Sequence, residues 1–348
     1  MSRARIAVDA MGGDHAPDEI VAGAAQAATD GSHILLVGDP DRIGKALAEA
    51  GAQAGDDIEI VPASDVIAMD DPDPAHAVRR RRDSSISVAA RLVKDGRADA
   101  VFGAGSTGAA LAAAVLETGR IRGVARPAIA IVLPFAPSPT VLLDAGANAD
   151  CRPEHLAGFA VLGSVFSRVR FGIEEPRVGL LSIGEERGKG SELVVEATPL
   201  IEALDVNFIG NVEGRDIPTD RVDVVVTDGF TGNVALKLME GFAKYLLGEL
   251  LGVFSATDEA KEAAKVVMPG LLGLAETLSP DSQGGAHLLG TKGVCIIGHG
   301  SSNAAAVRSA LKIASDTVSA GLVSEIAAKL ADSSATAAPD GGGAEGGS

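Results

Sequence analysis

VDVVVTDGFTGNVALKLMEG, Val222 to Gly241, is the stretch on which the reading of this chain turns. Val222, Val224, Val225 and Val226 are β-formers on both faces of a short strand, the pattern of a parallel sheet buried from both sides. Asp228-Gly229-Phe230 follows as a tight turn. Thr231 is expected to cap the next helix, in which Val234, Leu236, Leu238 and Met239 form a wide apolar stripe. A strand, a glycine turn and a capped helix aim free backbone N–H groups at one point, which suits an anion.

The same design occurs earlier, in Asp99-Ala-Val-Phe-Gly-Ala-Gly-Ser-Thr-Gly-Ala109. Set in register, Asp99/Asp223, Val101/Val225, Gly105/Gly229, Thr107/Thr231 and Gly108/Gly232 are identical. Glycine turns join strands to helices in every α/β protein, so either turn alone is ordinary punctuation. The pair predicts two units facing each other across a crevice at the carboxyl ends of their strands.

A chain of 348 residues, 46% of them hydrophobic, can bury a sizeable α/β core. No run of 18 residues lacks both charge and glycine, so no membrane-spanning helix is expected. The opening MSRARIAVDAMGGDHAPD has no apolar leader segment, and Cys151 and Cys295 lack metal-ligand spacing. These features lead us to expect a cytoplasmic protein without disulfides, metal or cofactor. A net charge of −17 disfavours nucleic acid as a partner, and aromatic residues are only 3%, too few for base stacking. Small anions stay possible as ligands, because a local run such as Arg79-Arg80-Arg81-Arg82 sets its own field.

Strands are read at 6–8, 33–37, 58–61, 128–133, 141–143, 178–182, 207–209 and 294–297, alternating largely with helices. That alternation predicts a mostly parallel sheet covered on both faces. Between the elements lie candidate site loops. Gly12, Gly13, Asp14 and His15 follow the first strand. Asp144-Ala-Gly-Ala-Asn148 ends another strand. Lys189 stands in a glycine-spaced loop, 184–191. His299 precedes the 300–303 cap of a late helix, and Gly284 to Gly290 reads as a lead-in to the last strand. Each has a plain structural reading as a turn, a solvated charge or a hydrogen-bonded histidine. Residues 242–278 read as almost wholly helical. Within them, Val266 to Leu274 is strongly apolar around Pro269-Gly270, which is expected to fold two helices into a protruding elbow. The domain is expected to span 1–331, with a disordered tail over 332–348.

Taken together, IAVDAMGGDHAP (6–17), AVRRRRDSS (77–85), GAGSTGA (103–109), LLDAGAN (142–148), RPEHL (152–156), RVGLLSIGEERGKG (177–190), NFIGNVEGRD (207–216), VDVVVTDGFTGNVALK (222–237), GGAHLLG (284–290) and HGSSN (299–303) resemble the bacterial acyl-acyl carrier protein:phosphate acyltransferases of phospholipid synthesis. One departure is Ser106, where that family usually carries Asn; a serine still forms hydrogen bonds. The resemblance implies a three-layer α/β/α sandwich, similar to phosphotransacetylases and isocitrate dehydrogenases, with a helical extension around 245–280. It implies transfer of a fatty acyl chain from acyl carrier protein to inorganic phosphate. It also implies a homodimer, peripheral membrane association, and a membrane glycerol-3-phosphate acyltransferase as the next enzyme.

Such a reaction needs a phosphate cradle, an oxyanion hole and a proton for the departing thiolate, with no metal and no covalent nucleophile. Asp14, His15, Lys189, Asn233 and His299 are the candidate catalytic groups, with no role fixed for any one of them. Gly12, Gly13, Arg79, Arg80, Gly105, Ser106, Thr107, Gly108, Asp228, Gly229, Thr231 and Gly232 are the candidates for binding phosphate and substrate. Three rivals stand beside this reading: a phosphotransacetylase using acyl-coenzyme A, an NAD-linked dehydrogenase, and an anion-binding or membrane-recruited regulator without turnover. GAGSTG is not the dinucleotide-binding spelling at the first strand, which weakens the second.

Overall fold

The computed structural model describes residues 3–135, 138–277 and 284–336. Its first part alternates as the periodicity predicts: β1 (Arg5–Asp9), α1 (Asp18–Thr29), β2 (His33–Gly38), α2 (Pro40–Glu49) and β3 (Ile58–Pro62). Next come α3 (Pro74–Arg80), α4 (Ser85–Lys94), β4 (Ala100–Gly103) and α5 (Thr107–Ala113), which widens into a π-turn over Ala114–Thr118. The middle holds β5 (Ala128–Leu133), β6 (Thr140–Leu143), α6 (Pro153–Phe171), β7 (Val178–Leu181), α7 (Glu192–Glu202), β8 (Phe208–Val212) and β9 (Val224–Val226). Two long helices, α8 (Gly229–Ser255) and α9 (Asp258–Thr277), lead to β10 (Ala286–Leu289), β11 (Val294–Ile297), α10 (Ala304–Ser319) and α11 (Leu322–Thr336).

Among the described residues, eleven strands join one sheet in the order β3-β2-β1-β4-β11-β10-β5-β6-β9-β7-β8. β3, β2, β1, β4 and β11 run parallel, as do β6, β9, β7 and β8. Between the two groups, β10 is antiparallel to β11, β5 to β10 and β6 to β5. Three reversals turn the second group against the first. The carboxyl ends of β4 and β9 therefore leave opposite edges of the sheet, which corrects the expected crevice at shared strand ends.

The two groups repeat one plan. Ile6 on β1 faces Ala100 on β4, and Val178 on β7 faces Val224 on β9, each one residue past a matching ion pair. Arg5 binds Asp99 through its backbone N–H at 2.9 Å and its guanidinium at 2.7 and 3.2 Å. Arg177 binds Asp223 through its backbone N–H at 2.8 Å and its guanidinium at 2.8 and 2.9 Å. The sequence match of Asp99 with Asp223 thus marks a structural duplication.

Alternate side chains of each strand feed opposite cores. One face packs Ile6, Val8, Ile34, Phe102 and Ile296 with α1, α2 and α10, and Val141, Leu143, Val224 and Val226 with α6 and α7. Phe159 and Phe166 of α6 are almost fully buried there, each worth about 1.5–3 kcal/mol of apolar transfer. The other face carries α4, α5 and the first turns of α8, and Ala109, Ala110, Ala145 and Leu236 share one cluster on it. That cluster, rather than an edge, is what joins the two glycine turns.

Several expectations change. Gly284 to Gly290 contains strand β10, and β8 runs to Val212, three residues beyond the expected 207–209. Pro269 lies inside α9, so the apolar stretch is helical throughout and the break falls between Ser255 and Asp258. A proline removes one N–H donor, but an exposed helix face lets water satisfy the freed carbonyl. α11 continues to Thr336, five residues into the expected tail, while residues 337–348 lie outside the described residues. His287 is core: it packs 4.9 Å from Phe166, and burial, aided by the Arg170 charge, drives its pKa down to about 3.

Candidate active site

At the first edge, three loops converge after β1, β4 and β11. Asp9, the last residue of β1, is buried and accepts from the Met11 N–H at 3.1 Å. Burial pushes its carboxyl up, against the lowering pull of the neighbouring Ser85 hydroxyl and of the Met11 and Gly12 N–H groups, of which Met11 is the one within hydrogen-bond geometry. Gly12 then touches Gly105: a Cβ on Gly12 would lie 2.6 Å from Asp9 Oδ2 and 3.0 Å from the Gly105 backbone. Neither position has room for a side chain. Gly13 has φ of 120°, and the Asp14 N–H reaches the Gly300 carbonyl at 2.8 Å, which ties the first loop to the third. The Asp14 and His15 side chains are exposed. His299 is exposed as well, and its Nδ1 lies 2.8 Å from Ser301 Oγ.

Ser106 caps α5, its hydroxyl accepting from the Ala109 N–H at 3.4 Å. Among the described residues, no acceptor takes the backbone N–H groups of Gly105, Ser106, Thr107 or Gly108. Four successive unclaimed donors form the cradle that an oxyanion fits. Arg79 and Arg80 lie exposed on the last turn of α3, whose Pro74 packs against Gly108. Arg81 differs: it donates to the Val66 carbonyl and pairs with Asp65, a structural role.

The matching turn at the other edge is built differently. Asp228, not Thr231, caps α8, accepting from Thr231 N at 2.8 Å and Thr231 Oγ1 at 2.7 Å. The Gly229 N–H goes to the Asn148 carbonyl at 2.8 Å. Gly229 and Gly232 press against Asn148 and Asp144, and a Cβ on Gly229 would come within 2.6 Å of the Asn148 carbonyl. Beneath them Asp144, fully buried, accepts from the N–H groups of Ile129, Ala147 and Asn148 and from Asn148 Nδ2 at 2.7–3.1 Å. Burial pushes Asp144 up despite those bonds. With two carboxylates present and its donors largely claimed, this turn holds an anion less readily than the first. Asn233 is exposed beside Gly146, its Nδ2 placed 3.3 Å from where a Gly146 Cβ would stand. Lys189 is exposed after β7, and its carbonyl accepts from Ser182 and Asn211.

The candidates thus divide between the edges: Gly12, Gly13, Asp14, His15, Gly105–Gly108 and His299 at the first, Lys189, Asp228, Gly229, Thr231, Gly232 and Asn233 at the second. Sequence reasoning assigned no role to Asp9 and placed Asp144 only at the start of a loop that ends a strand. A carboxylate at the last position of an apolar strand, just before a glycine pair, was the available signal. Cys151 is half-buried and Cys295 buried; burial pushes their thiols up to about 11 and about 12, so neither is a ready nucleophile. Among the described residues no cluster could hold a metal ion, and no helix is long and apolar enough to cross a membrane.

Comparison with known proteins gives a consistent picture. The family model described as fatty acid synthesis protein matches residues 4–325. A phosphate acyltransferase of Desulfitobacterium hafniense (strain DSM 10664 / DCB-2) is 48% identical over 328 residues, covering 94% of this chain and 97% of that protein. Another phosphate acyltransferase, from Heliobacterium modesticaldum, is 49% identical over 323 residues, covering 92% and 96%. Among solved structures, a phosphotransacetylase from Streptococcus pyogenes matches with a TM-score of 0.63 at 18% identity, covering 92% of this chain and 94% of that one. A branched-chain phosphotransacylase from Enterococcus faecalis V583 gives 0.55 at 16% identity, covering 90% and 99%. The fold is the α/β/α sandwich of these two proteins.

Proposed function

The chain belongs to the fatty acid synthesis protein family, and from that premise we propose that it moves a fatty acyl group from acyl carrier protein to inorganic phosphate, giving acyl phosphate for phospholipid synthesis. One observation carries the reading beyond the names of relatives: the unclaimed N–H groups of Gly105 to Gly108, on a turn braced by Gly12. Phosphate is seated there. The raised pKa of Asp9 lowers the negative charge beneath it.

In the reaction, a phosphate oxygen attacks the thioester carbonyl carbon, and the C–O bond forms as a tetrahedral oxyanion develops. The C–S bond then breaks, and the thiolate leaves with the proton that phosphate or a nearby group gives up. Backbone donors aimed at the oxyanion contribute about 3–4 kcal/mol each in such sites. Asp14, His15 and His299 are the candidates at the first edge for positioning groups or carrying a proton. Lys189 and Asn233 are the candidates for donor-side contacts. No metal, cofactor or acyl-enzyme enters this scheme.

The proposal includes a cytoplasmic homodimer that touches the membrane peripherally, where a glycerol-3-phosphate acyltransferase would take the product. Phe230, Val234, Leu238, Phe242 and Tyr245 of α8 are exposed, a stripe suited to a second copy. Val266, Leu272 and Leu274 of α9 are exposed and suited to lipid.

Incubation with palmitoyl-carrier protein, palmitoyl-coenzyme A and phosphate, with acyl phosphate followed directly, tests the reading. The carrier-bound donor should be used at the higher kcat/KM. Ping-pong kinetics or a preference for the coenzyme A ester would overturn it.

A further inference from the structure

A cavity of about 600 Å³ opens beside the second edge, between the π-turn after α5 and the start of α6. Arg120, Arg126, Arg152 and His155 line it, with Val115 and Leu116 as an apolar wall. Among the described residues none of the three guanidinium groups pairs with a carboxylate, and Arg120 reaches only the Ala125 carbonyl. Three exposed guanidinium groups around one hollow, without a carboxylate partner, set up a positive field that favours an anion.

His155 adds a second observation. It is only 5% exposed, and its Nδ1 accepts the Arg152 backbone N–H at 3.2 Å. A neutral ring used this way carries its proton on Nε2. That Nε2–H stands 3.5 Å from the Arg152 guanidinium, so two donors meet with no acceptor between them. An oxygen of an anionic ligand supplies what is missing. The ring stays neutral because burial and the charges of Arg152 and Arg126 lower its pKa, against the upward pull of Glu154.

We propose that this pocket binds a phosphate ester, that of the pantetheine arm on which an acyl thioester is carried. The arginines and His155 favour phosphate. The volume far exceeds a phosphate ion, and the Val115–Leu116 wall fits an apolar chain next to the charge. The identity of the ester rests on the proposed acyl transfer; the anion site itself does not.

Calorimetric titration of the full chain with 4′-phosphopantetheine, pantetheine and inorganic phosphate tests this without turnover. The wild type should bind 4′-phosphopantetheine at least about tenfold more tightly than pantetheine. Arg126→Gln with Arg152→Gln should remove that preference while leaving pantetheine affinity unchanged. Arg152→Lys and the exposed Arg120→Gln should give smaller losses, about threefold, and guard against a folding defect in the double variant. No detectable binding of 4′-phosphopantetheine to wild type, or unchanged binding in the double variant, overturns the proposal. Equal loss of ester and inorganic phosphate also overturns it, by making the pocket the acceptor site. Should acyl phosphate never form while the ester preference is present and lost as described, the pocket stands and the proposed reaction falls.

Discussion

Asp99 and Asp223 hold equivalent places in the two halves of the sheet, each taking the backbone N–H and the guanidinium of the arginine at the start of a neighbouring strand, Arg5 as its first residue and Arg177 just before it. The register of β1 on β4 and of β7 on β9 is fixed by the same pair of groups. In both carboxylates burial pushes the pKa up, yet the arginine's side-chain and backbone bonds leave it below the ordinary value.

A depressed carboxylate gives a defined pH dependence. The unfolded chain binds protons first as pH falls, so the stabilisation is complete above about 3.9 and is lost as pH drops through the lower folded value. Asp223→Asn should cost about 1–3 kcal/mol at pH 6 and much less near pH 3, read as urea midpoints. An equal cost at both pH values would contradict this account.

The Gly12–Gly105 contact predicts that neither tolerates alanine. Gly12→Ala places a Cβ against Asp9 Oδ2 and the Gly105 backbone, so the loops must part. We expect kcat/KM for phosphate to fall about a hundredfold, with a stability loss of about 1–3 kcal/mol. A variant with normal phosphate kinetics would remove the first turn from the site.

Both thiols are held protonated by burial, which predicts that no acyl-enzyme forms on them. Changing Cys151 and Cys295 together to Ala should retain most turnover, and wild type should show no burst. A trapped thioester on Cys151 would refute direct attack.

Arg79 and Arg80 are exposed, whereas Arg81 is tied to Asp65 and Val66. Replacing the first two with Gln should raise the KM for carrier protein and flatten its salt dependence, because surface charge acts mainly on association. Unchanged KM at low salt would leave the run as a solvated face.

On α9, Val266→Gln with Leu272→Gln should abolish sedimentation with liposomes while sparing acyl transfer in solution. Loss of activity together with loss of the dimer would assign these side chains to a subunit interface instead.

Much of this was legible beforehand because it rests on local pattern. The valines of β9 and the apolar run of β2 read as buried strands, and GAGSTG and DGFTG read as helix-opening turns. What stayed hidden depends on direction and distance. Four residues of β10 between glycines carry no periodicity, yet their antiparallel pairing decides which edge each turn occupies. The twin turns look alike in sequence, but Asp228 replaces Ala104 and closes one of them. His155 and Arg126 lie far apart along the chain, and only folding shows their shared hollow.

β10 also bears on how the chain is made. His287 pairs with Ala130 on β5 and Ile296 on β11, and β11 in turn pairs with β4, so the β10–β11 hairpin stitches together two part-sheets built from earlier sequence. A polypeptide emerging from the ribosome completes β1 to β9 before that stitch exists. Until residues 286–297 arrive, the growing chain holds β4 and β5 with open edges and waiting donors. Because α8 and α9 separate β9 from that hairpin, the two edges meet their partners only after a long stretch of further synthesis, and until then they can pair with other chains.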